Sequence, residues 1–172
     1  MSFGGIQEVI NQKSILVFDF DGVFTDNAVY IDQYGVESVR CSRSDGLGLA
    51  RVRGLDIKMC IVSTEVNPVV SARAKKLKVK CWQAVTDKSI VVRKVCLEFG
   101  VDPKKTMFVG NDINDIPAFK MVGIPVGVND SYDEILPHIS YITHRQGGYG
   151  AVREICDTVY QRRFRKSIGG DL

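Results

Sequence analysis

Two hydropathy patterns alternate along this chain. Short, mostly apolar runs end abruptly in polar residues, and longer stretches with helical spacing separate them. The first run, Ile15-Leu16-Val17-Phe18, reads as a strand buried on both faces of a parallel sheet. Residues 57–62, 106–109 and 125–128 read the same way, 79–85 as a short strand and loop, and 141–143 as a further strand. Residues 68–78, 87–99, 113–122 and 151–163 carry helical spacing, and Gly100 stops the second of these. A shorter helix, 47–53, is opened by Asp45-Gly46 and closed by Gly54 as C-cap. Strands alternating with helices predict an α/β fold with a parallel sheet and right-handed crossovers. One element breaks the alternation. Residues 28–32 and 37–41 flank Gln33-Tyr34-Gly35 and predict a β-hairpin, an insertion over about 27–42. A lone hairpin is unstable in water. The apolar load of Val29, Tyr30, Ile31 and Val39 therefore predicts burial against the rest of the chain or another subunit.

Length and composition narrow the picture only modestly. At 172 residues the chain fits one domain, 1–172, with a substantial core. The net charge of +3 draws on a basic tail (about 162–172) with Arg162, Arg163, Arg165 and Lys166. It reads as a solvated helix end, which suits cations, rather than a nucleic-acid patch. Five cysteines, odd in number and without a CxxC pair, fit a reducing cytoplasm better than a disulfide scaffold. No charged-then-apolar leader pattern appears, and no apolar run is long enough to span a membrane. His138 and His144 are isolated and read as packing or surface residues.

The chemistry lies where the first strand ends. Asp19 and Asp21 follow the apolar run, and a side-chain period of two points both to one side. Parallel sheets place ligands beyond the carboxyl ends of their strands. Two such carboxylates repel by up to ~4 kcal/mol at ~4 Å and an effective dielectric of ~20. A metal ion, a lysine or a shared proton must offset that. Gly22 permits a sharp turn and close approach of a ligand; the plain alternative is an ordinary Asp-Gly turn. Two further strand ends supply Ser63/Thr64 and Asn111/Asp112/Asp115, and Lys88 opens a helix feeding the same rim. This inventory fits phosphoryl transfer. A carboxylate attacks phosphorus, a second acid moves the proton, a hard cation bridges oxygens, and a hydroxyl and a lysine hold the phosphate.

These residues resemble the haloacid dehalogenase superfamily of phosphatases. Asp19-Phe20-Asp21-Gly22-Val23-Phe24-Thr25 is similar to its first motif, Ser63 or Thr64 to the second, Lys88 to the third, and Gly110-Asn111-Asp112-Ile113-Asn114-Asp115 to the fourth. The hairpin after the first motif, without a larger cap, resembles the small-cap branch. That branch holds the 3-deoxy-octulosonate 8-phosphate and nonulosonate 9-phosphate phosphatases and the phosphatase-like domain of some acylneuraminate cytidylyltransferases. Gly147-Gly148-Tyr149-Gly150-Ala151-Val152-Arg153-Glu154 resembles the branch's glycine-rich tail segment.

The resemblance implies a Rossmann-like three-layer sandwich and a Mg²⁺-dependent phosphatase acting through an aspartyl-phosphate on a phosphorylated 2-keto-3-deoxy sugar acid. It implies Asp19 as nucleophile and metal ligand, and Asp21 as general acid/base with its carbonyl on the metal. Ser63, Thr64 and Gly22 hold phosphate, and Lys88 neutralises Asp19. Asn111 and Asp112 join the metal site, with Asp115 in support. The chain departs from the branch at Asn111, where an acid is common; an amide oxygen ligates Mg²⁺ without charge. This departure resembles the cytidylyltransferase-associated domains, so a catalytically weak tetramerisation module is the second reading. Glu65 stands where the octulosonate group often has arginine and resembles the nonulosonate group. Arg73 and Lys76, three apart on one helix face, and Arg43 are candidates for the substrate carboxylate or plain solvent-facing charges. The resemblance also implies a homotetramer with hairpins paired at its centre.

Overall fold

The computed structural model describes residues 14–55 and 57–168, with side chains through residue 161. The four residues of β1 (Ile15–Phe18) are fully buried. They pair in parallel with β4 (Lys58–Val62) on one side and β6 (Thr106–Gly110) on the other. β5 (Lys80–Trp82) extends the sheet beyond β4, and β7 (Ile124–Gly127) and β8 (Tyr141–Ile142) extend it beyond β6. The order is β5-β4-β1-β6-β7-β8, parallel throughout. Period-two alternation then splits the core. Leu16, Phe18, Ile61 and Met107 pack against α1 (Ser44–Arg53), α2 (Val69–Leu77) and α5 (Ala151–Ile168). Ile15, Val17, Cys60 and Phe108 pack against α3 (Lys88–Phe99) and α4 (Ile116–Met121). The result is the expected three-layer α/β sandwich. Among the described residues no helix is long and apolar enough to cross a membrane.

Several boundaries differ from the sequence expectation for local reasons. Gly54 stays right-handed at φ −67°, so α1 ends without the left-handed glycine cap that Gly100 supplies to α3 at φ 63°. The stretch 113–122 is not one helix. Asp112 and Asp115 form a capping box around a 3-10 turn, Ile113–Asp115, and α4 starts only at Ile116, with Pro117 in its first turn. α5 runs past residue 163 to Ile168; the side chains of the basic tail and residues 169–172 lie outside the described residues. The stretch Asp133–His138, without a helical or strand period, folds as 3-10 turns with Pro137 inside.

The hairpin is present, with β2 (Thr25–Ile31) starting earlier than expected and pairing antiparallel to β3 (Glu37–Cys41). Asp32 fixes its turn by accepting from the amides of Tyr34 and Val36, each at 2.9 Å. Val39 and Cys41 pack on the core. Val29, Tyr30, Ile31 and Val36 remain 51–65% exposed, so this chain by itself does not bury the hairpin's apolar load.

α1 and α5 meet closely at Gly48, where a Cβ would stand 2.9 Å from Arg153 Cδ and Cys156 Cβ. Beside this contact Asp45 is fully buried. One carboxylate oxygen accepts from the Arg153 amide at 3.2 Å, and the other has no partner among the described residues. Burial pushes its pKa from 3.8 up to about 6 against the pull of that amide, Arg73 and Arg153. The fold therefore favours the protonated form, and this stabilisation is complete below pH 4 and lost as pH rises through about 6. The span from 3.8 to about 6 corresponds to about 3 kcal/mol. Asp45→Asn, neutral at every pH, is expected to gain stability relative to the unaltered chain by about that amount between pH 4 and pH 7 in urea titrations. A constant difference across that range would refute the assignment.

Candidate active site

The edge beyond the carboxyl ends of β1, β4 and β6 gathers most of the polar residues singled out in the sequence. Asp19 extends β1 by one residue, its amide donating to the Val109 carbonyl at 2.8 Å. The residue is only 4% exposed. One carboxylate oxygen accepts from the Phe20 amide at 2.7 Å, and the other lies 2.8 Å from the Lys88 ammonium. Lys88 opens α3 just after Asp87, which caps that helix through the Ser89 amide at 2.8 Å. It is buried and also contacts Asp115 at 2.6 Å. Asp115 in turn accepts from the amides of Asn111 (2.8 Å) and Asp112 (3.2 Å).

One ammonium thus sits between two buried carboxylates. Burial and then Asp115 raise the Asp19 pKa from 3.8 to about 7, against the pull of Lys88 and the Phe20 amide. Burial alone would lower the Lys88 pKa, but Asp19 and Asp115 hold it above its ordinary value. The pair of acids has one fixed cation, and that surplus negative charge is what a bound cation would neutralise.

The turn after β1 presents Asp21. The Phe20 carbonyl accepts from Val23 (3.2 Å), Phe24 (2.8 Å) and Thr25 (3.3 Å). Phe20, Val23 and Phe24 anchor the turn in the core. Thr25 Oγ1 accepts from the Gly22 amide at 3.1 Å and reaches Asp21 Oδ1 at 3.5 Å. Burial, then Glu65, raises the pKa of Asp21. Gly22 has φ +74°, and a Cβ there would fall 2.1 Å from the Asn111 side-chain nitrogen. Asn111, 4% exposed, therefore packs its amide directly onto this turn. The Asp112 carboxylate turns away to accept from the Ile113 amide at 2.7 Å.

At the end of β4, Ser63 is buried and Thr64 exposed. Ser63 Oγ accepts from the Glu65 amide at 3.1 Å, and Asn114 reaches Thr64 Oγ1 at 3.5 Å. Ala84 braces this loop by donating its amide to the Glu65 carbonyl at 2.9 Å, in a left-handed conformation at φ 57°. No residue pattern announces that strain, nor the part Thr25 plays in holding Asp21. The substrate candidates are less gathered. The Glu65 carboxylate folds back onto the amides of Val66 (2.6 Å) and Asn67 (2.7 Å). Arg73 donates to the Ser42 carbonyl at 2.7 Å, tying α2 to the hairpin's return, and its Nε is buried without a partner among the described residues. Lys76 and Arg43 are exposed.

A paired-acid turn on a central parallel strand, countered by a buried lysine, defines a phosphoryl-transfer hydrolase. The haloacid dehalogenase-like hydrolase signature matches residues 66–155, just over half of the chain. The 3-deoxy-D-manno-octulosonate 8-phosphate phosphatase KdsC of Yersinia pestis is 30% identical over 155 residues, spanning 90% of this chain and 82% of that protein. Among solved structures, a putative HAD family hydrolase from Streptomyces avermitilis superposes with TM-score 0.83 at 42% identity, covering 88% of this chain and 85% of that one. The cobalt-bound deoxy-D-mannose-octulosonate 8-phosphate phosphatase of Haemophilus influenzae does so with TM-score 0.85 at 25% identity, covering 96% of each. This chain belongs to the haloacid dehalogenase-like hydrolases, and it is a phosphoric monoester hydrolase.

Lys88→Met would leave two buried acids facing each other without their cation. It is expected to cost roughly 3–5 kcal/mol in urea unfolding at neutral pH. A loss below about 1 kcal/mol would contradict the buried pairing. Ala84→Gly is expected to gain roughly 1 kcal/mol by relieving the left-handed strain; a loss of stability would show that the strain is absent.

Proposed function

We propose that this protein hydrolyses a phosphorylated 2-keto-3-deoxy sugar acid, octulosonate 8-phosphate or a nonulosonate 9-phosphate, with Mg²⁺ as cofactor. The observation that carries this reading is Asp19, buried, countered by Lys88 and two residues from a second acid of raised pKa. The KdsC relative supports the octulosonate substrate, and Glu65 supports the nonulosonate one.

Asp19 attacks phosphorus and forms an aspartyl-phosphate as the ester P–O bond breaks. Protonated Asp21 gives its proton to the leaving oxygen; the resulting carboxylate then takes a proton from water as the water oxygen attacks phosphorus and frees Asp19. Lys88 holds Asp19 in place and balances the charge building on the phosphoryl oxygens. Ser63 and Thr64 supply hydroxyls for the remaining phosphate oxygens, whereas the Gly22 amide, expected to join them, is already given to Thr25 Oγ1. Among the described residues no three His, Cys, Asp or Glu side chains converge to hold a metal. The donors that fit are therefore mixed: the Asp19 carboxylate, the Asn111 amide oxygen and the Asp21 carbonyl, all hard oxygens suited to Mg²⁺. When bound, Mg²⁺ supplies positive charge beside the phosphate. Asp112, already capping Ile113, is the weaker candidate.

Asn111 also favours a second reading, a catalytically weak tetramerisation module associated with an acylneuraminate cytidylyltransferase, because an uncharged ligand holds the cation less firmly. Both readings share a cytoplasmic homotetramer built on the hairpin's exposed Val29, Tyr30, Ile31 and Val36.

Asp19→Asn is expected to abolish phosphate release from these substrates while leaving thermal unfolding cooperative. Retained turnover in that variant would sink the mechanism. Ile31→Lys is expected to convert a tetramer to smaller species in light scattering; an unchanged mass would remove the hairpin from the interface.

A further inference from the structure

The Asp21 turn is internally tied but held weakly at its functional end. Thr25 Oγ1 binds the Gly22 amide at 3.1 Å and the Asn27 amide at 3.2 Å, both within the turn and its exit. The carboxyl of Asp21 has one hydrogen bond among the described residues, the 3.5 Å contact to the same Thr25 hydroxyl. Where Asp21 stands therefore depends on what backs the turn.

That backing is the glycine segment. A Cβ on Gly147 would stand 1.9 Å from the Gly22 carbonyl oxygen, and one on Gly148 would stand 2.5 Å from the Asp26 amide nitrogen. The Gly148 amide donates to the Val23 carbonyl at 3.1 Å. The Gly147 amide donates to the Asp130 carboxylate at 2.9 Å. Small residues are required here because two backbones touch.

Arg40, on the returning strand β3, fastens this segment to the hairpin. Its Nη1 donates to the Gly148 carbonyl at 3.0 Å and lies 3.7 Å from Asp26 Oδ2, and its guanidinium carbon stands 4.0 Å over the Tyr149 ring. A planar guanidinium can serve a carbonyl, a carboxylate and an aromatic face together; an ammonium cannot reproduce that geometry. Arg40 thereby closes a loop of contacts running from the turn through Asp26 and the glycine segment back to the turn.

We propose that Arg40 is a positioning residue for the protonation step: by clamping Gly148 and Tyr149 against the hairpin root, it fixes the turn from which Asp21 reaches the leaving oxygen. This rests on the phosphatase mechanism above. When the P–O bond breaks, an alkoxide leaving group needs the Asp21 proton, whereas an acidic aryl oxide departs without it. Misplacing the acid should penalise the first far more than the second.

The test compares kcat/KM, which reports on steps through leaving-group departure, for a sugar-acid phosphate and for p-nitrophenyl phosphate. Arg40→Ala is expected to lose roughly tenfold on the sugar-acid phosphate and under about twofold on the aryl ester. Arg40→Lys should recover only part of that loss, because it keeps charge without the fork. Equal losses on both esters, or no loss on either, would overturn the proposal, with thermal midpoints confirming that both variants are folded. Turnover of neither ester by the unaltered chain would instead overturn the phosphatase mechanism on which the proposal rests.

Discussion

Everything at the rim is arranged around one buried ammonium. Lys88 sits 2.8 Å from Asp19 and 2.6 Å from Asp115, with no exposure of its own side chain. Taking these three charges out of water costs several kcal/mol per ion, and only close pairing and further hydrogen bonds offset it. The fold supplies both. The Phe20 amide meets Asp19, and the amides of Asn111 and Asp112 meet Asp115. The backbones of two neighbouring strand ends and the start of α3 are thus locked to one another by the charges they carry. Burial and Asp115 nonetheless hold the Asp19 pKa up near 7 against the pull of Lys88 and the Phe20 amide.

Much of this was legible in the sequence, and the reason is periodicity. β1, β4, β6 and β7 are short apolar runs because each is buried on both faces, and their abrupt polar endings mark the rim. Asp19, Ser63 and Asn111 were visible as residues at those endings, and Lys88 as the opening of a helix. Hidden were the features that depend on tertiary contact. Nothing local says that Asp112 spends its carboxylate on a cap, that Glu65 folds onto its own loop, or that Arg73 ties α2 to Ser42. Each of those charges looks free in a one-dimensional reading and is partly occupied in three dimensions. The division of 113–122 was hidden for the same reason: the capping box competes with a helix that the apolar spacing alone would favour.

The hairpin and the glycine segment extend the charge cluster outward. The hairpin leaves the sheet within a few residues of Asp21, and residues 147–149 return from the far end of the chain to lie against the same turn. Segments distant in sequence are thereby brought to the back of the site, while the sheet and α3 form its floor. Asp19 is thereby held by the buried charge cluster, and Asp21 stands on a turn anchored by Phe20, Val23 and Phe24 and backed by Gly147 and Gly148.

The proposed mechanism stands or falls on the Asp19 carboxylate oxygen bonding to phosphorus. The direct measurement is acid quenching during turnover of a sugar-acid phosphate, followed by mass spectrometry of the peptides. A phosphoryl group on Asp19, absent from the Asp19→Asn variant, is the predicted result. Phosphate release at full rate with no phosphorylated peptide, or with the label on another residue, would contradict the account.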